Sequence, residues 1–68
     1  MLRAWREQSK IVVRNDGPGR ARDVQVVPSS MSHPILDPGE ECRLDDSPDA
    51  HVVKYVTSLD EVVDVPIA

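Results

Sequence analysis

Sixty-eight residues with no Phe, one Trp and one Tyr make a single domain, and its bulky side chains are mostly Val. Such a chain builds a thin core and is marginal on its own. Twelve acidic against eight basic residues leave a formal net charge of −4, which opposes a phosphate-binding field. No run approaches the roughly 20 apolar residues of a membrane helix, and the lone Cys42 excludes an intrachain disulfide and tilts toward a reducing compartment.

Residues 1–8 have neither clean alternation nor a helical stripe. Leu2 and Trp5, at i, i+3 spacing, anchor a short helical turn or an extended arm ahead of a body at 9–68. The opening Met1-Leu2-Arg3-Ala4-Trp5-Arg6-Glu7 is charged from its third residue, so no signal peptide is expected and synthesis in the cytoplasm is. A strand is predicted near 9–15, with Ile11 and Val13 on one face and Lys10, Val12 and Arg14 on the other. Asn15-Asp16-Gly17-Pro18-Gly19 breaks it, since glycine accepts φ > 0 and proline removes a ladder donor. A second strand spans Arg22 to Val27, with Val24 and Val26 inward and Asp23 and Gln25 outward; Pro28 closes it.

Residues 28–36 are expected to form an irregular crossover. Asp37-Pro38-Gly39-Glu40 places Pro and Gly as a type II turn requires. Glu40 to Leu44 alternates, with Cys42 and Leu44 sharing a face, and Asp45-Asp46-Ser47-Pro48-Asp49 is an acidic loop. The longest predicted strand, His51 to Leu59, carries apolar residues on both faces, so it is central or covered on its outer face. Asp60-Glu61 turns the chain into a last strand, Val62 to Ile67, where Pro66 suits an edge.

These elements predict an all-β, short antiparallel sandwich of about five strands; a complete immunoglobulin sandwich takes roughly 100 residues and seven strands. An incomplete sandwich leaves open edges and an uncovered face, so association with a protein partner or with a second copy is expected. Charge points the same way. Residues 1–22 carry a balance of +4 and the remainder −8, which implies head-to-tail contacts, an acidic partner surface, or merely an uneven solvated surface.

The stretches Ile11-Val12-Val13-Arg14-Asn15-Asp16-Gly17, Ala21-Arg22-Asp23-Val24-Gln25-Val26 and Leu36-Asp37-Pro38-Gly39-Glu40 resemble bacterial immunoglobulin-like domains related to cell-adhesion modules (the CARDB and NEW3 type). The resemblance covers about residues 10–44, half the chain. It implies that Asn-x-Gly ends one strand, that Ala21 packs beneath the next, and that the Pro-Gly-Glu turn starts the following one. Domains of that family run longer and usually sit inside large secreted proteins. A small free-standing sandwich without a leader is similar instead to the decoration or accessory proteins that tailed bacteriophages display on their capsids.

Candidate chemistry is sparse. His33, Cys42 and His51 are the soft metal ligands, spaced nine residues apart, without the short local pairs of a structural zinc site. The 45–49 loop offers oxygens to calcium but lacks the Gly and bidentate Glu of an EF-hand loop; otherwise it is a solvated turn. Cys42 sits on an inward strand face, away from a base that would activate it, and the 15–20 loop has neither phosphate-binding glycine spacing. No catalytic residue, cofactor or metal is assigned, and nucleic acid and membrane are not expected partners. Trp and Arg dominate interface hot spots, so Leu2, Arg3, Trp5, Arg6, Arg20 and Arg22 are the expected partner-binding residues; Trp5 capping the chain's own core is the alternative. The expected function is that of a non-enzymatic, virion-associated immunoglobulin-like protein gripping a protein shell. The other reading is a stand-alone accessory or adhesion-like module of a bacterial protein complex.

Overall fold

Alternation of apolar and polar side chains builds this molecule strand by strand. A computed structural model describes residues 1–28 and 31–68, and among these the chain forms seven strands and no helix. They are β1 (Leu2–Glu7), β2 (Lys10–Asn15), β3 (Ala21–Val27), β4 (Ser32–Leu36), β5 (Glu41–Asp45), β6 (Val52–Val56) and β7 (Val62–Pro66). Two antiparallel sheets result, one ordered β1-β2-β5 and the other β4-β3-β6-β7. Their inner faces pack together in a sandwich-like arrangement. Leu2, Ala4, Ile11, Val13 and Leu44 come from the first sheet, and Ala21, Val24, Val26, Leu36, Val53 and Tyr55 from the second. The Cα radius of gyration, 10.6 Å, matches the roughly 11 Å expected of a compact chain of this length.

The five-strand expectation is corrected to seven, and both missed strands have a physical explanation. Residues 1–8 are not an arm. β1 pairs along its whole length with β2, from Leu2 opposite Asn15 to Glu7 opposite Lys10. The reversal falls at Gln8 and Ser9, with φ of 47° and 69°, the pair of positive values that a two-residue type I′ hairpin demands. The expected crossover at 28–36 is in part a strand: β4 pairs with β3, Ala21 opposite Leu36 and Gln25 opposite Ser32. Its Pro34 is tolerated because β4 is an edge strand. Ser29 and Ser30, also within that predicted crossover, lie outside the described residues.

The predicted strand to Leu59 stops at Val56 instead. Thr57 turns the chain: its hydroxyl accepts from the N–H groups of Leu59 and Glu61 at 3.2 Å, and its own N–H donates to the Glu61 carbonyl at 2.8 Å. Leu59 therefore lands on the hairpin tip, 78% exposed. β6 is central, one of the two arrangements its apolar faces allowed, and β7 with Pro66 is an edge. Within β3, Ala21 and Val24 both face inward although three residues apart. A bulge between Arg22 and Gln25, with Asp23 at φ 51°, supplies the extra residue.

One polar side chain knits the end of the sandwich. Asn15 is fully buried, and its amide donates to the carbonyls of Gly19 (2.8 Å) and Leu36 (2.9 Å) while its Oδ1 accepts from Gly17 N–H (3.0 Å). Its main chain receives Gly39 N–H and donates to the Glu40 carbonyl. Gly39, at φ 84°, and the 3.0 Å bond from Glu40 N–H to Asp37 carbonyl are the type II turn predicted there.

Candidate functional site

β1 has an outer face because alternation gives it one. Leu2 and Ala4 point into the core, so Arg3, Trp5 and Glu7 point away from it. The pairing of β1 with β2 and of β2 with β5 extends this face into three rows: Arg3, Arg14 and Glu41; Trp5, Val12 and Arg43; Glu7, Lys10 and Asp45. Val12 lies outside the core cluster yet is 0% exposed, flanked in register by Trp5 and Arg43. Trp5 is half-buried on this outer surface and does not cap the core.

The indole is held on several sides. Its Nε1 donates to Glu7 Oε2 at 2.7 Å, and the Arg3 guanidinium lies 5.7 Å from the ring centroid, within range of a cation–π contact. Arg43 reaches both Glu41 (3.3 Å) and Glu7 (3.7 Å). Arg3 and Arg14 converge on Asp16, Arg14 at 2.9 Å. Partial burial pushes the Asp16 carboxyl pKa up, but the two guanidiniums outweigh it and hold it below the usual carboxylate range. Beside Trp5, between β1 and the end of the chain, runs a groove of about 430 Å³ lined mainly by Leu2, Ala4, Trp5, Val65, Pro66 and Ala68. Ala68 N–H donates to the Ala4 carbonyl at 2.9 Å, tying the end of the chain to β1 beside it.

The six residues expected to bind a partner do not form one site. Arg3 and Trp5 share the outer face. Leu2 is 3% exposed and belongs to the core, so it borders the groove from within and does not stand on the outer face. Arg6 points toward the inner row and is spent inside the fold, donating to the Ala50 carbonyl and, at 3.0 and 3.2 Å, to Asp46. Arg20 pairs with Asp37 at 2.6 Å in the β2–β3 connection, and Arg22 pairs with Asp60 on the second sheet. Val12 and Arg43, which complete the Trp5 face, were not anticipated; the register of β1 on β2 joins Val12 to it and that of β5 on β2 joins Arg43.

The remaining candidates scatter. Among the described residues no three His, Cys, Asp or Glu side chains stand close enough to hold a metal ion. In the acidic loop Asp45 pairs with Lys10 and Asp46 with Arg6. Burial, and then the neighbouring Glu41 charge, push the Cys42 thiol pKa up, which keeps it protonated and a weak nucleophile. No helix among the described residues is long and apolar enough to cross a membrane. No known family model, curated protein or solved structure matches this chain.

Proposed function

We propose that this chain is a non-enzymatic, immunoglobulin-like module that docks a protein through the outer face of its three-stranded sheet. The topology supports the fold reading. Constant-type immunoglobulin sheets join the first, second, fifth and fourth strands in one sheet and the third, sixth and seventh in the other. Moving the fourth strand beside the third gives the order seen here, and β4 still borders β5.

One observation carries the docking reading: Trp5 is braced on a surface by Glu7 and Arg3 and lies beside an apolar groove. A preorganised aromatic surrounded by Arg loses little side-chain freedom on binding, and such residues dominate interface energies. The resemblance to small displayed sandwiches, a fold-level analogy, favours a virion shell as the partner. Particles assembled with the chain present, from the coat protein of the genome that encodes it, test this by electron microscopy. Ordered extra density on the shell, lost with Trp5→Ala while the isolated variant stays folded, is the expected result. Bare shells beside a folded chain defeat the shell reading. The accessory-module reading then stands, with the same face facing a different protein.

A further inference from the structure

The second sheet has an outer face too, and it differs in kind from the first. Register on β6 and β7 makes it three rows: Val56 opposite Val62, Lys54 opposite Asp64, and Val52 opposite Pro66. Val62 is 65% exposed and Val56 and Val52 are partly exposed. Ile35, 43% exposed, extends the first row through Arg22, and Leu59 stands at the hairpin tip. Scattered surface hydrophobics need no explanation, but of the exposed large ones Ile35 and Val62 share this face and Leu59 stands at the tip of its hairpin, while Met1 precedes β1 of the other sheet.

Charge supplies the second observation. Every Lys and Arg except Lys54 is ion-paired within the fold. Lys54 has no ion-pair partner among the described residues, and neither does Asp64, although the two are directly opposite across β6 and β7. Among the described residues, the one Lys or Arg side chain outside an ion pair and a carboxylate outside one therefore sit side by side, between two apolar rows.

We infer that the outer face of the β6–β7 hairpin docks a second copy of this chain. A two-fold axis parallel to the strands and midway between β6 and β7 lays β6 of one copy over β7 of the other and keeps each row level. Lys54 then meets Asp64 of the second copy, Val56 meets Val62, and Val52 meets Pro66, each contact made twice. Isologous interfaces require this kind of self-complementarity, and sheets packed face to face keep their strands nearly aligned. The surface meets the Trp5 groove only at Pro66, so the pairing leaves the outer face of the β1-β2-β5 sheet free.

An interface of so few residues belongs with small, transient ones, so sedimentation equilibrium is run from about 1 μM to 1 mM. A reversible monomer–dimer equilibrium is expected. Lys54→Asp places like charges together and weakens dimerisation by about tenfold or more. Asp64→Lys does the same, and the double variant Lys54→Asp with Asp64→Lys restores wild-type association because the pairs are merely exchanged. Val62→Asp abolishes it, and circular dichroism establishes that each variant is folded. A wild-type chain that stays monomeric to 1 mM overturns the inference. So does a dimer indifferent to Lys54→Asp and Val62→Asp, or a double variant no better than the single ones.

Discussion

Asn15 carries more of this fold than its place in a turn sequence implies. Three hydrogen bonds from one buried amide hold the 16–20 loop and the end of β4. Asn15→Ala leaves the buried Leu36 carbonyl and Gly17 N–H, and the part-buried Gly19 carbonyl, without their partner. At about 1 kcal/mol or more for each group left unmet, the loss is about 3 kcal/mol. A 68-residue domain has roughly 3–10 kcal/mol in total, at 0.05–0.15 per residue. Chemical denaturation should therefore find the variant's unfolding free energy lowered by about 3 kcal/mol, a third or more of the total. Asn15→Asp replaces two donors with lone pairs aimed at two carbonyl oxygens, which raises the folded-state pKa of the new carboxyl above its unfolded value near 4. Its deficit relative to wild type should then be smallest below pH 4 and grow as pH rises through the folded pKa. A deficit independent of pH between 3 and 7 would show that the site is not sealed from water.

The β1–β2 hairpin is held by strand pairing against an unfavourable turn. L-residues in the left-handed region cost roughly 1–2 kcal/mol each, and Gln8 and Ser9 both occupy it. Replacing them by Asn and Gly, the preferred type I′ pair, should stabilise the protein by about 1 kcal/mol and raise its melting midpoint by roughly 4–8 °C; calorimetry checks it. The same turn explains why β1 could not be read from sequence. Nothing in Gln-Ser announces a hairpin, and the inward row Leu2, Ala4, Arg6 breaks off at a charge that only the distant Ala50 carbonyl and Asp46 satisfy. β4 was hidden by Pro34, which disqualifies a central strand but not an edge. β2, β3 and β7 were legible because branched apolar residues alternate beside turn residues, 15–19 after β2, Pro28 after β3 and Asp60-Glu61 before β7, and β6 was overrun because alternation continues through Thr57 to Leu59. The candidate site divides likewise. Arg3 and Trp5 stand out locally, whereas Val12 and Arg43 reach Trp5 only by cross-strand register.

Over the whole molecule, the basic first third and the acidic remainder neutralise one another. Arg6 to Asp46, Lys10 to Asp45, Arg20 to Asp37 and Arg22 to Asp60 each join the two parts. All are exposed or partly so, and pairs of that kind are worth at most about 1 kcal/mol each. Their sum governs how stability responds to acid and salt, not whether the chain folds. Asp16 gives the clearest handle, because two guanidiniums hold its folded-state pKa below the unfolded value near 4. A carboxyl depressed on folding contributes stability that is fully present above its unfolded pKa and is lost as pH falls through the folded one. Wild type should therefore lose stability as pH drops below about 4. Asp16→Asn, which removes the titrating group and keeps its size, should be less stable than wild type at pH 7, with the gap closing toward pH 2. Raising the salt concentration at pH 7 should narrow the same gap, since the Arg3 and Arg14 contacts are open to solvent. Urea titrations across that pH range read the difference directly. A gap that persists at pH 2 would mean that Asp16 acts through its turn geometry and not through its charge.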